Sequence, residues 1–451
     1  MKKFRLAALA AAFLGGCATF SEDGGFGGVG EVVRQRTGAE ARWIRTEADA
    51  QSASQEVKRL LAAPLGPEQA VAIALLNHRG LQAAYAEVGI SDAGRIQAGR
   101  WINPGFSYAR LERGDSIEIE RKLIFSLLEL FTMPRRIEIA AQRLERTKLA
   151  AAGEALRAAA GARRTWFDAV AAQEAAKYFE QAKAAAEASA ELSERMARIG
   201  NVPQLQRMRA QAFLAEAGAR LARARQGALA ARERLIRAMG LSGEDTAFKL
   251  AERLPELPKA TREQGELEAT ALRERLDVRA AKHEAEGLAA SLGLTEATRY
   301  VNALELGLQR NSASGEPPQK GWEIELRLPI FDTGDARLAR AQHQYMQALN
   351  RAAQVAVNAR SEVREAYHAY RTAYQLASQY REEIVPLRKR ISEENLLRYN
   401  GMLIGVFELI ADARETMASV NAYIEALRDF WLADAALQTA LTAGHSTGSG
   451  T

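Results

Sequence analysis

Two stretches of the chain alternate apolar and polar side chains with a period of two. In the first, Ile117, Ile119, Leu123 and Phe125 share one parity, and Glu118, Glu120 and Lys122 the other. In the second, Leu304, Leu306 and Leu308 oppose Glu305 and Gln309, and Trp322, Ile324, Leu326, Leu328 and Ile330 oppose Glu323, Glu325 and Arg327. Successive strand side chains point to opposite faces, so this predicts amphipathic strands within about 103–125 (103–111 and 116–125) and about 300–330 (300–309 and 322–330). About nine tilted residues suffice for a strand to cross a bilayer. A half-buried hairpin in water alternates in the same way, so the pattern alone leaves both readings open.

Elsewhere the period lengthens. Val363, Ala366, Tyr370, Ala373, Ala377, Tyr380, Ile384, Leu387 and Ile391 recur at alternating spacings of three and four, a heptad seam. The proline-free run 135–199 predicts one helix of roughly 95 Å at 1.5 Å per residue, and 335–400 its counterpart. Shorter long helices follow at about 203–240 and 405–441. Globular helices average about three to four turns, so these need coiled-coil partners. Alanine at many seam positions permits close approach and leaves little room for a ligand-holding core.

The chain also repeats itself weakly. Leu76-Asn77-His78-Arg79-Gly80-Leu81 has a counterpart in Leu272-Arg273-Glu274-Arg275-Leu276-Asp277. Leu128-Glu129-Leu130-Phe131-Thr132 corresponds to Leu328-Pro329-Ile330-Phe331-Asp332, and Ile199-Gly200-Asn201 to Asn400-Gly401-Met402. The offsets all lie near 200 residues, which suggests a duplicated unit. The repeats are 65–258 and 259–443, joined near 254–258, with an expected disordered tail at 444–451.

The beginning of the chain carries a different signal. Lys2, Lys3 and Arg5 precede an apolar run from Leu6 to Phe13 that is too short to span a bilayer as a helix. Leu14-Gly15-Gly16-Cys17 follows, and Cys17 is the single cysteine of the 451 residues. A charged start, a short apolar core and small residues before the cut describe a secretory signal peptide, here 1–16. The last four residues resemble a bacterial lipobox, which implies cleavage before Cys17 and a covalent lipid on it; the alternative is an ordinary signal peptide with an incidental cysteine. Ala18 follows where, in enteric-type lipoprotein sorting, an Asp would imply inner-membrane retention, so that resemblance points to the outer membrane. Residues 17–64 then read as a lipidated, glycine-rich flexible tether (18–40) and a helical lead-in ending at Pro64. The net charge of +5 is small beside 61 basic and 56 acidic residues, and argues for mixed-charge helix surfaces. No basic block interleaved with aromatics appears, so nucleic-acid binding lacks support.

Four strands cannot close a barrel, and an open strand edge cannot face lipid. Strands that enter a membrane here must therefore be shared among copies. Three copies would give twelve strands, with Glu118, Glu120, Glu323 and Glu325 turned inward. Such a lumen would be negative and favour cations; the alternative is that these are solvated hairpin residues.

The chain resembles the TolC-type outer-membrane efflux factors over about 65–443. Leu65-Gly66-Pro67-Glu68-Gln69-Ala70 with Leu81-Gln82-Ala83 is similar to the family's opening helix. Leu326-Arg327-Leu328-Pro329-Ile330-Phe331-Asp332-Thr333-Gly334 resembles its strand-to-helix exit. Ile384-Val385-Pro386, Tyr399-Asn400-Gly401 and Glu408-Leu409-Ile410 resemble its lower-helix and tip motif. In the first repeat, Phe131-Thr132-Met133-Pro134-Arg135 departs from the usual glycine-containing exit. The resemblance implies a mainly α fold with a small β part: long antiparallel coiled-coil helices forming a periplasmic α-barrel, plus four strands per chain in a trimeric twelve-stranded β-barrel. It further implies a homotrimer in the outer membrane, served by a periplasmic adaptor and an inner-membrane transporter. An acidic constriction at the periplasmic end would match Glu408 and Asp412, spaced i, i+4 on one helix face. The equivalent stretch of the first repeat, 204–210, lacks acids. The cargo is not legible.

Enzymatic and metal chemistry find no foothold. His78, His283, His343, His368 and His445 form no metal-spaced pair, and no second cysteine exists. Neither a phosphate loop nor a nucleophile elbow appears, and no metal or cofactor is expected beyond the lipid on Cys17. Arg113-Gly114-Asp115 reads as a strand-connecting turn, and His283-Glu284 as helix surface. The alternative to a channel is a structural periplasmic coiled-coil lipoprotein without a pore, which explains Cys17 and the heptads but not two amphipathic hairpins about 200 residues apart. Cys17→Ala should leave the precursor unprocessed or mislocalised, read by mobility shift and membrane fractionation; normal processing and outer-membrane fractionation would defeat the lipobox reading.

Overall fold

The computed structural model describes residues 19–262 and 265–444; the expected signal peptide 1–16, Cys17 and residues 445–451 of the expected tail lie outside the described residues. The elements in chain order are α1 (Gly27–Thr37), α2 (Glu47–Leu61), α3 (Pro67–Asn77), α4 (Arg79–Ala98), β1 (Gly105–Arg113), β2 (Ser116–Ser126), α5 (Leu127–Arg198) and α6 (Gln204–Met239). They continue with α7 (Leu267–Glu274), α8 (Leu276–Ala297), β3 (Leu304–Ala313), β4 (Gln319–Leu326), α9 (Asp335–Gln379), α10 (Val385–Asn400) and α11 (Val406–Thr442). The chain divides into two compact units.

The first unit gathers residues up to 29 with 85–151 and 276–357. Its sheet is antiparallel with order β1-β2-β3-β4, so the two repeats meet at the β2–β3 pair. The expected turn at Arg113-Gly114-Asp115 joins β1 to β2. Gly114 takes the first central position with φ +57°, a left-handed backbone that a two-residue hairpin demands and glycine supplies without strain. β4 stops at Leu326, short of the expected 330. Pro329 has no N–H to give a ladder, and beyond it the Asp332 carboxylate accepts the Gly334 N–H at 2.8 Å, turning the chain into α9. α5 begins directly after β2, eight residues before the expected 135, and carries Pro134 inside it. The proline removes one rung, and in the same turn the Thr132 hydroxyl donates to the Leu128 carbonyl at 2.9 Å.

The expected flexible tether is ordered from residue 19. Ser21 Oγ donates to Asp92 Oδ2 at 2.6 Å, and Arg95 reaches the other oxygen of that carboxylate at 2.9 Å. Burial alone would raise the pKa of Asp92, but the Ser21 and Arg95 hydrogen bonds outweigh it and hold the carboxyl below its ordinary value. The Asp23 carboxylate accepts the Gly25 and Gly27 N–H groups at 2.9 and 2.6 Å, and Phe26 packs edge-on to Tyr85 at 4.8 Å. Phe26, Val29 and Val33 fall at helical spacing, and both valines are buried. That apolar stripe outweighs the entropy the nearby glycines must lose on ordering.

The second unit holds residues 30–84, 152–275 and 358 onward. An aromatic cluster lies at its centre: Phe167 stacks on Trp431 at 5.3 Å, Trp431 meets Phe430 edge-on, and Phe430 packs against Tyr370 and Tyr374. The expected join between the repeats is held through its own backbone carbonyls. Trp431 Nε1–H donates to Pro255, Tyr374 Oη–H to Pro258 and Arg381 to Leu257. Trp166 Nε1–H donates to the Leu65 carbonyl at 2.8 Å, and Leu65 N–H donates to Lys249 at the same distance.

The heptad seam holds through Val363, Ala366, Tyr370 and Ala377, all buried. It then breaks at a π-helical turn, Tyr380–Ile384, ahead of α10 with Pro386 in its first turn. The expected single helix 335–400 is therefore two. A π turn inserts a residue and rotates the helix beyond it, which takes Leu387 out of the seam and leaves it 51% exposed. Trp166→Phe keeps most of the ring volume but orphans the buried Leu65 carbonyl, a loss of about 1–3 kcal/mol. A lowered thermal midpoint of the helical signal is the expected result, and an unchanged midpoint would contradict it.

Candidate functional site

Strand register decides which side chains act together. Phe106, Leu123, Leu308 and Trp322 pair in one row across all four strands. Phe125, Leu306 and Ile324 form the next row, and Leu304 and Leu326 the one after. Phe106 and Trp322 are each 69% exposed. A contiguous apolar face this open marks a surface made to be covered.

The opposite face collects all four predicted glutamates, Glu118 and Glu120 from β2 and Glu323 and Glu325 from β4. The register adds a fifth, Glu305, directly across from Glu325. Like charges facing each other in this way are mutually destabilising. Glu323 differs from the rest because it forms an ion pair with Lys122, two strands away. Gly307 lies between them on β3, and a Cβ there would come within 2.6 Å of Glu323 Cγ and 2.9 Å of Lys122 Cε. Glycine is what lets the pair close over β3. The alternation showed Lys122 on this face, but its partner depends on register, which the sequence does not reveal.

At the α10–α11 turn the expected pair separates. Glu408 is exposed, and its Oε2 accepts the Gly405 N–H at 3.0 Å, capping the first turn of α11. Asp412 is 7% exposed, and its Oδ1 has no hydrogen-bond partner. Its neighbours in sequence, Ile410 and Met417, pack with Ala182, Ala186, Ala210 and Phe213. Arg414 turns instead to Glu216 at 3.3 Å and lies over the Phe213 ring at 5.1 Å. The two carboxylates thus share a helix face without sharing an environment.

Around these turns large apolar side chains stand in solvent. Ile199, Leu205 and Met208 do so at the α5–α6 turn, and Leu397, Met402 and Leu403 at the α10–α11 turn. Met402 is 94% exposed and has φ +60°, the one non-glycine residue with positive φ among the described residues. That backbone is strained for any residue with a side chain.

Titratable groups outside these sites have structural partners. Burial pushes Asp434 above the usual carboxylate range, against Arg262 at 3.2 Å and the Gln438 amide at 2.8 Å. Burial likewise raises Glu174, which accepts the Leu254 N–H, and Asp168, near Arg428. None stands beside a nucleophile in a cleft, as a catalytic acid or base would. Among the described residues no group of three or more His, Cys, Asp or Glu side chains could hold a metal ion, and no helix is long and apolar enough to cross a membrane.

This architecture is similar to that of solved outer-membrane channels. The outer-membrane channel OprN matches 92% of this chain and 96% of its own at 17% identity, with a TM-score of 0.71. CusC, a protein of transmembrane channel formation, matches 86% of this chain and 92% of its own at 17% identity and a TM-score of 0.70. The open-state MtrE outer-membrane channel of Neisseria gonorrhoeae matches 83% and 88% at 19% identity and a TM-score of 0.67. The chain has the TolC-type channel fold, mainly helical with four antiparallel strands. No family pattern and no curated protein matches it.

Proposed function

We propose that this chain is the outer-membrane channel subunit of a tripartite export machine, a homotrimer that passively conducts cargo received from a periplasmic adaptor and an inner-membrane transporter. The observation that carries the reading is the four-stranded sheet. One face is apolar and exposed, the other is acidic, and β1 and β4 are left as open edges. In lipid, edges without partners cost several kcal/mol per backbone group, and three copies supply a closed twelve-stranded wall. A pore-less coiled-coil lipoprotein has no use for such a sheet. Lipid on Cys17 would add an anchor to the same membrane.

In that barrel Glu118, Glu120, Glu305, Glu323 and Glu325 face the lumen and favour cations. The Lys122 ion pair offsets the charge of Glu323, which leaves Glu118, Glu120, Glu305 and Glu325 to set the sign of the lumen. The purified protein should run as a trimer in mild detergent and conduct in planar bilayers. Glu325→Lys should shift the reversal potential toward anions, and Lys122→Gln, which frees the charge of Glu323, should shift it toward cations. A monomer without conductance would refute the channel, and an unchanged reversal potential in Lys122→Gln would refute the role of Lys122.

The exposed apolar side chains at the two helix turns suit the adaptor, because they are hydrophobic, clustered and uncovered in one copy. Asp412 and Glu408 form the periplasmic constriction. A carboxylate such as that of Asp412, whose Oδ1 has no hydrogen-bond partner, repeated by threefold symmetry near one axis holds a divalent cation and obstructs flow until the helix ends part. Replacing both residues with alanine should preserve the trimer and abolish block by divalent cations from the periplasmic side. Undiminished block would place the constriction elsewhere.

A further inference from the structure

The register that builds the apolar face of the sheet also lines up its cations. Arg121 on β2 pairs with Arg310 on β3, Arg310 pairs with Lys320 on β4, and Tyr108 on β1 completes the row beside Arg121. This row shares its face with Phe106, Leu123, Leu308 and Trp322 and lies one step nearer the hairpin turns. Arg310 and Lys320 are exposed and Arg121 is half-buried.

Three like charges on adjacent strands, with Cβ atoms roughly 5 Å apart, repel one another. Nothing on the face relieves them. Among the described residues no carboxylate forms an ion pair with Arg121, Arg310 or Lys320. The one acid of the strands on this face, Glu112, is taken by Arg110 at 2.6 Å. The opposite face handles its charges differently and closes Lys122 onto Glu323. A row of uncompensated cations bordering an exposed aromatic and aliphatic band calls for an anion from outside the chain.

We propose that Arg121, Arg310 and Lys320 form a basic belt that binds the phosphate-bearing headgroups of membrane lipids. The inference rests on the channel reading, which turns this face toward lipid. Phe106, Tyr108 and Trp322 then form the aromatic girdle that marks the edge of the hydrocarbon layer, and the belt lies at headgroup level on the side of the hairpin turns. Long basic side chains extend along apolar surface and keep their charge in the polar layer. Guanidinium groups match phosphate oxygens in bidentate geometry, which favours a headgroup bearing phosphate over the same headgroup without it. Threefold repetition of three cations rings the barrel with nine.

The test uses the full-length trimer in mild detergent, titrated with lipid A bearing both phosphates or chemically stripped of them, with bound lipid read by native mass spectrometry. The wild-type trimer should hold the phosphorylated lipid and release the stripped one. Arg121→Gln, Arg310→Gln and Lys320→Gln together should weaken retention about a hundredfold, at roughly fivefold per cation, with conductance unchanged. Lys122→Gln, on the opposite face, should retain lipid as the wild type does. Should the triple variant not assemble, Lys320→Gln alone should show the roughly fivefold loss. Equal retention by the charge-removed variant, or of lipid A with and without phosphate, would overturn the proposal while leaving a conducting trimer intact. Displacement by millimolar inorganic phosphate would overturn the assignment to lipid. A wild-type chain that neither assembles nor conducts would defeat the channel reading and this belt with it.

Discussion

Everything else in the first unit depends on a backbone constraint: a peptide N–H or C=O taken away from water must find a partner. Within one copy the sheet satisfies this at β2 and β3 and fails at the outer edges of β1 and β4. Soluble proteins blunt such edges with charge, proline or a covering element. Here the strands instead carry exposed Phe106, Trp322 and Ile324, which would make an aggregating surface in water. Edge and apolar face are the same demand expressed twice, and the proposed closed multi-copy wall in lipid would answer both at once.

The second unit meets the constraint in another way. Its long helices satisfy their own backbones, so what must be held is the irregular join between the repeats. Trp431, Tyr374 and Arg381 do this by donating to the carbonyls of Pro255, Pro258 and Leu257, and Trp166 holds Leu65, ahead of α3, in the same way. A carbonyl is present whatever side chain its residue carries. The strap can therefore change sequence freely while the helices keep their donors, and the fold can persist where the letters do not.

The alternation of Ile117 to Phe125 and of Trp322 to Leu326 made the strands and their faces readable from sequence, because a period of two reports orientation directly. The long helices were readable for the same reason at a longer period. What escaped were features set by single backbone groups or by distant partners. β4 ended early, ahead of Pro329 and level with the first residue of β3, Leu304, while Pro134 sat inside α5 without delaying it. The π turn at Tyr380–Ile384 moved Leu387 off the seam without any mark in the heptad pattern. Glycines near residue 25 suggested slack, yet the chain there is held by Asp92 and Tyr85, far away in sequence. Glu408 and Asp412 stand i, i+4 on one helix, yet one is exposed and the other buried, because spacing carries no information about burial.

The docking of the N-terminal arm sets the length of a leash. Ser21 is hydrogen-bonded to Asp92, and Cys17 stands four residues upstream. Even fully stretched, four residues cover no more than about 14 Å. An acyl group on that cysteine could therefore not roam over the protein surface. It would have to enter the bilayer within one short radius of a fixed point on the first unit, and a lipidated arm would then act as a depth gauge, relating the level of the lipid surface to a named hydrogen bond.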